Sequence, residues 1–277
     1  MNTFENKFEE HFVAYIDFLG FSEASKNTDE AKKNQILDLL NSLSTLRGEF
    51  SIESDVVENG RRFNIRPAIS SFSDHIVISY PIKAVADGME FKESVTAHFV
   101  MHEVNSLITR IAASALSLGI LIRGGATIGN LYHSNGVVFG EALVEAYMIE
   151  SKLAVYPRVV LSPNITKNNE WMKASLPGIR KSDDGIYYFD CFSSLITKSF
   201  APGGNWVGDS RSYFSNALAI IEKNLIDHKD KGEIRYFSKW AWFANELCRS
   251  LKESNPLLIN AMQISLDPLD EMIKLCI

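Results

Sequence analysis

Val13-Ala-Tyr-Ile-Asp-Phe-Leu-Gly-Phe21 and Phe72-Ser-Asp-His-Ile-Val-Ile-Ser79 are the two stretches whose reading decides the fold. Each reads as a short apolar β-strand with an aspartate at its end, Asp17 in the first and Asp74 in the second. An isolated ionised carboxylate is very costly to bury, so each must lie at a strand mouth or beside a strong partner. Two such mouths side by side would bind divalent cations, and hard oxygen donors favour magnesium or manganese. A competing reading needs no metal: Asp17 caps the helix that follows, and Asp74 shapes a turn.

Working outward, the strand Phe12 to Ile16 turns through Asp17-Phe-Leu-Gly-Phe-Ser22 towards a helix over Glu30 to Leu46, where Ile36, Leu39, Leu40, Leu43 and Leu46 keep helical spacing. Arg62 to Ser71 and Ile76 to Pro81 read as a β-hairpin with Asp74 near its tip. A helix over Ser94 to Leu118 ends at Gly119. A strand over Ile120 to Ile128 follows, then a hairpin through Asn130 to Gly136, and Gly140 opens a helix over Glu141 to Lys152. Arg158 to Leu161 is a strand, the run to Leu176 a helix, and Gly185 to Asp190 another strand. The alternation predicts a mixed α/β (α+β) fold with a mostly antiparallel sheet flanked by helices. Beyond Pro202-Gly-Gly204, helices over Tyr213 to Leu225, Ile234 to Leu251 and Leu257 to Leu275 form a C-terminal extension, so the expected domains are 1–200 and 201–277.

Composition narrows the function classes. The chain has 277 residues, 46% hydrophobic and 22% charged, enough apolar material for a sizeable core. A net charge of −6 argues against a broad nucleic-acid surface. Three cysteines, Cys191, Cys248 and Cys276, suggest neither a disulfide framework nor a cysteine zinc site, which fits a cytoplasmic protein. The start of the chain lacks the basic and apolar regions of a signal peptide, and the most apolar run, Ile111 to Ile122, is too short to span a membrane.

Four motifs occur in order: Asp17-Phe-Leu-Gly-Phe21, Phe72-Ser-Asp74, Arg123-Gly-Gly-Ala-Thr-Ile-Gly129, and Phe139-Gly-Glu-Ala-Leu143 leading into a helix with Glu150. Together they resemble the catalytic domain of class III nucleotidyl cyclases over roughly residues 10 to 195. The resemblance implies a palm-like domain with a ferredoxin-like core, acting as a homodimer whose protomers both complete each active site. It implies that Asp17 and Asp74 hold two Mn2+ or Mg2+ ions, with the backbone carbonyl of Phe18 on one of them. Backbone N–H groups of the Leu19-Gly20-Phe21-Ser22 turn would then face the triphosphate at a helix N-terminus. Arg123 is a candidate for a phosphate or transition-state contact, or else a surface or dimer arginine.

The departures matter as much. Val144 and Met148 stand where the family carries its helix Asn and transition-state Arg, and Ser70 and Val137 stand at its adenine-reading Lys and Asp positions. The pattern is similar to the bacterial pyrimidine cyclases of Pycsar antiphage systems. That resemblance implies conversion of UTP, or alternatively CTP, to a cyclic nucleotide that activates a separate effector. The alternatives are a divergent adenylate or guanylate cyclase and a non-catalytic nucleotide-binding module. Lys152 and Arg158 are weaker cation candidates. His98 and His102, four apart on one helix, read as an exposed face more readily than as zinc ligands. Tyr147 reads as core, and Trp240 and Trp242 point to different helix faces, which suggests packing on one side and an interface on the other.

Overall fold

The computed structural model describes residues 8–21, 30–45, 52–58, 61–83, 85–86, 89–90, 92–174, 178–192, 206–253 and 274. The chain divides into two compact units, Met1–Leu107 with Ile122–Phe189, and Ile108–Leu121 with Asp190–Ile277.

The first unit is built on a mixed, mainly antiparallel sheet. Its described strands are β1 (Glu9–Leu19), β4 (Ala68–Phe72), β5 (His75–Pro81), β8 (Leu121–Ser134), β9 (Val137–Phe139), β10 (Val159–Leu161), β11 (Ile179–Lys181) and β12 (Tyr187–Phe189). Their order is β11-β12-β10-β8-β1-β5-β4, with β9 paired to β8. β1 and β5 are antiparallel and place Asp17 opposite His75, while β8 and β10 are parallel. Two further antiparallel ribbons pair β2 (Ile52–Glu58) with β3 (Arg61–Ile65), and β6 (Val85–Ala86) with β7 (Met89–Glu90). The helices are α1 (Glu30–Thr45), α2 (Glu93–Ser117, which continues into the second unit), α3 (Glu141–Leu153), α4 (Pro163–Thr166) and α5 (Asn169–Ala174).

β1 is apolar almost throughout because both of its faces are covered. On one face Val13 packs with Val77, Leu131, Ala142 and Ala146, under α3. On the other, Phe12 stacks on Trp171 of α5 at 5.9 Å and meets Phe189 edge-on at 6.3 Å. Each such fully buried side chain stabilises the fold by about 2 kcal/mol relative to exposure. Glycine sets how closely α3 approaches: a Cβ on Gly125 would lie 2.2 Å from the Ala146 carbonyl oxygen.

Several sequence expectations are corrected in detail. β1 runs on to Leu19, so Asp17 lies within a paired strand and not at its tip; His75 across the ladder and Arg123 make that tolerable. The extended run over Arg62 to Ser71 is broken at Arg66-Pro67, since proline offers no N–H to a ladder, and β3 leaves to pair with β2. β8 continues to Ser134, and its hairpin turns only at Asn135-Gly136, both with positive φ, as a tight two-residue turn requires. The run expected as one helix holds two short helices, Pro163–Thr166 and Asn169–Ala174, and β11 is a strand additional to those expected.

The second unit contains α6 (Trp206–Asp230) and α7 (Ile234–Glu253), both longer than their sequence signals. Ala217, Ile221 and Leu225 of α6 are buried, as are Trp240, Phe243, Ala244 and Leu247 of α7. Trp240 is buried and Trp242 half-buried, as two residues two apart on a helix would be. Among the described residues no helix is long and apolar enough to cross a membrane. Ser22, Leu46 and nearly all of the helix expected over Leu257 to Leu275 lie outside the described residues.

Candidate metal centre

The antiparallel register delivers the first two acidic side chains to one place. Residues directly opposite on paired strands project from the same face, so Asp17 and His75 emerge together. Asp74 precedes His75 in the two-residue turn Ser73-Asp74 that joins β4 to β5. Ser73 there adopts φ 55°, a left-handed conformation that costs a non-glycine residue on the order of 1–2 kcal/mol. The Phe18 N–H donates to the Asp74 carbonyl at 3.0 Å, which ties this turn to β1.

Oxygen atoms of Asp17 and Asp74 and a ring nitrogen of His75 lie within 4.8 Å of one another. His75 Nδ1 is 3.1 Å from Asp74 Oδ1, and its Nε2 is 3.5 Å from Asp17 Oδ1. The other Asp17 oxygen, Oδ2, accepts from Arg123 Nε at 2.9 Å. Arg123 Nε is also 2.6 Å from Glu150 Oε1, and Glu150 is only 3% exposed. Arg123 sits on β8 and Glu150 on α3, so the close approach that Gly125 permits is what brings the two together. Tyr15, also on β1, lies over His75 at 5.2 Å and meets Tyr147 edge-on at 5.6 Å. Its hydroxyl pKa is raised, first by burial and then by the negative charge of Glu150 and Asp17.

The donor set fits a divalent cation. Two carboxylates whose oxygens lie within 4.8 Å of each other repel by at least roughly 3 kcal/mol at an effective dielectric near 20. Arg123 pairs with Asp17 and Glu150, and with Asp74 in the same cluster the carboxylates outnumber the guanidinium, a surplus of negative charge that a bound cation would balance. Asp17 and Asp74 would hold such an ion, and His75 stands within the same cluster.

No family model and no curated protein matches the chain. Solved structures similar to it include two of a bacterial light-regulated adenylyl cyclase. One matches at 14% identity and TM-score 0.35, covering 68% of this chain and 53% of that chain. The other matches at 12% identity and TM-score 0.35, covering 78% of this chain and 58% of that one. The chain therefore spans little more than half the length of either cyclase.

The remaining sequence candidates fall into separate places. Leu19 ends β1, Gly20 takes φ 89°, and Phe21, two residues beyond the strand, is helical. Val144 and Met148 lie on the outer side of α3, 61% and 37% exposed. Tyr147 is half-exposed and not core, because Ala142, Ala146 and Ile149 form the buried side of that helix. Ser70 and Ser79 hold the two ring nitrogens of His133 at 2.8 Å each, and Val137 is exposed on β9. His98 and His102 are exposed on α2, and His102 pairs with Glu103. Arg158 is no catalytic cation: its Nη groups bind Ser182 and Asp184, well inside the fold. A cavity of about 570 Å³ opens elsewhere, between Glu10, Glu93, Asn130, Glu141 and Asn168, and none of the acidic cluster lines it.

Sequence reasoning missed His75 and left Glu150 as part of a motif without a role. The signal for His75 was its position next to Asp74. It acquires meaning only once β1 and β5 are known to pair.

Proposed function

We propose that this chain is a nucleotidyl cyclase that converts UTP to 3′,5′-cyclic UMP and pyrophosphate, with residues 1–200 as the catalytic domain. The observation that carries the reading is the convergence of Asp17, Asp74 and Arg123 from three separate sequence motifs onto one sheet face. A pair of divalent ions held by Asp17 and Asp74 would lower the pKa of the ribose 3′-hydroxyl and screen the triphosphate. The 3′-oxygen then bonds to the α-phosphorus as the bond to the pyrophosphate oxygen breaks, and the hydroxyl proton leaves to water.

The chain's own groups supply position and charge. Arg123, gripped through Nε by Asp17 and Glu150, is 22% exposed and offers a planar cation to a phosphate oxygen. The turn at Leu19, Gly20 and Phe21 supplies backbone N–H groups near the same anion. Pyrimidine preference is supported by Ser70, bonded to His133, and by Val137, which together offer no Lys and Asp pair to a purine. Exposed Val137, Phe139, Val144 and Met148 support an interface with a second copy of the chain. The product would serve as a messenger in the cytoplasm for a separate antiphage effector.

Incubation with ATP, GTP, CTP and UTP in the presence of Mn2+ tests the reading, with cyclic UMP as the expected main product. Cyclic CMP would move the assignment to cytidylate cyclase, and cyclic AMP or GMP alone would reject pyrimidine specificity. One observation favours a second reading, a non-catalytic nucleotide-binding module: α3 presents apolar Val144 and Met148 where hydrogen-bond donors would serve a transition state. That reading expects binding of a nucleotide and no product from any of the four.

A further inference from the structure

The two carboxylates are not the only donors in the acidic cluster. Asp17 faces His75 across the β1–β5 ladder, so the ring stands level with that carboxylate on the same face of the sheet. The tight turn before it brings Asp74 to the other side of the ring. Its two nitrogens approach one oxygen of each aspartate, at 3.1 Å to Asp74 and 3.5 Å to Asp17. The ring is backed by Tyr15, which restricts how far it turns away. Asp17 Oδ2 is engaged by Arg123, and this leaves Oδ1 on the side where Asp74 and His75 stand. Among the described residues, no other group of three His, Cys, Asp or Glu side chains brings its donor atoms this close together.

We infer that His75 is a third side-chain ligand of this centre and that its imidazole makes the site select Mn2+ over Mg2+; the inference rests on the metal-site reading of Asp17 and Asp74. The chemistry of the donors supports the selectivity. Mg2+ is a small hard ion that holds its waters and takes oxygen ligands. Mn2+ also takes oxygen donors but, as a softer first-row transition metal, accepts an imidazole nitrogen more readily than Mg2+ does. The ring nitrogen that does not ligate has a carboxylate beside it to accept its proton, the arrangement that orients a histidine ligand and raises its basicity. An all-carboxylate site would discriminate less between the two ions.

Pulsed electron paramagnetic resonance of the Mn2+-loaded full-length protein gives the direct test, because a histidine ligand couples its ¹⁴N nucleus to the bound ion. The wild-type protein is expected to show ¹⁴N modulation and His75→Ala to lose it. In titrations without nucleotide, His75→Ala is expected to weaken Mn2+ by about tenfold while changing Mg2+ affinity by less than about twofold. His75→Asp, which restores an oxygen donor, is expected to recover Mn2+ binding without the ¹⁴N signal and to improve Mg2+ binding. Absence of ¹⁴N modulation in the wild type, or equal weakening of both ions in His75→Ala, would overturn the inference. Asp17→Asn and Asp74→Asn separate its failure from that of the reading beneath it. If they abolish Mn2+ binding and His75→Ala leaves it intact, only the role of His75 fails. If they leave Mn2+ binding intact, the two-carboxylate centre fails and takes the inference with it. Should His75→Ala not fold, the wild-type ¹⁴N signal together with Asp17→Asn decides the matter.

Discussion

Arg123 and Arg158 stand on neighbouring stretches of the sheet, where the Gly124 N–H donates to the Arg158 carbonyl, yet the surroundings give them opposite roles. The Arg158 side chain is 1% exposed, with both Nη groups bound to Asp184 or Ser182 and the rings of Tyr156 and Tyr188 within 6 Å. Arg123 is 22% exposed and, among the described residues, is gripped only through its Nε edge by Asp17 and Glu150. A guanidinium whose fork is consumed inside the protein ties strands and loops together. One held by its edge keeps the fork for something else, under the proposed function a phosphate.

The same substitution at both positions sharpens the contrast most strongly. Arg123→Lys keeps the charge between Asp17 and Glu150 but loses the planar fork, so turnover is expected to fall by about a hundredfold with the melting temperature nearly unchanged. Arg158→Lys is expected to lose about 2 kcal/mol of stability, roughly 5 °C, while folded protein keeps its turnover. Thermal melts and initial rates on the two variants check this, and reversed outcomes would exchange the assigned roles.

Gly125→Ala probes how Glu150 reaches Arg123. The added methyl meets the Ala146 carbonyl oxygen at 2.2 Å, so α3 must shift away from β8. A stability loss of about 2 kcal/mol is expected from overpacking, accompanied by reduced turnover as Glu150 leaves Arg123. Gly136→Ala, with open space around its Cβ but a positive φ, is the control: it strains only its turn and leaves turnover intact.

The smallest effect concerns pH. Arg158, followed by Ser182 and the Ile186 N–H, holds the Asp184 carboxyl down to about 2 against an ordinary value of 3.8. A depressed folded-state pKa contributes stability that is present above the ordinary value and lost as the pH falls through about 2. Solvent screening of a side chain 43% exposed limits the contribution to no more than about 1 kcal/mol. Acid unfolding followed between pH 5 and 1.5 should therefore show a shallow loss in the wild type that Asp184→Asn removes. An unchanged curve in the variant would mean that the Arg158 clamp carries no such charge dependence.

Local pattern was enough to place Asp17 at the end of an apolar strand, two residues short of where β1 stops, Asp74 in a turn, Arg123 on the strand with two glycines, and Glu150 on the helix opened by Gly140. What local pattern does not carry is which strands pair. The metal-ligand part of His75 depends on a β1–β5 register linking residues 58 apart in sequence (75 − 17). Arg158 looked like a spare cation because its partner Asp184 lies 26 residues further on, beyond any periodic signal. Tyr147 looked like core because aromatic residues on helices usually are, whereas the small residues Ala142 and Ala146 seat α3 on the sheet. The strand over Arg62 to Ser71 failed at Pro67, a break that the sequence displays openly but that apolar alternation masks.

Under the proposed function, activity requires above all that Asp17 and Asp74 form one metal-dependent centre. The most direct test is Mn2+-dependent release of pyrophosphate from the four nucleotides by the wild type, Asp17→Asn and Asp74→Asn, with melting temperatures measured in parallel. Release by the wild type, and a loss of about a thousandfold in either variant with the fold intact, is the predicted result. Pyrophosphate release that persists in folded Asp17→Asn or Asp74→Asn protein would contradict it.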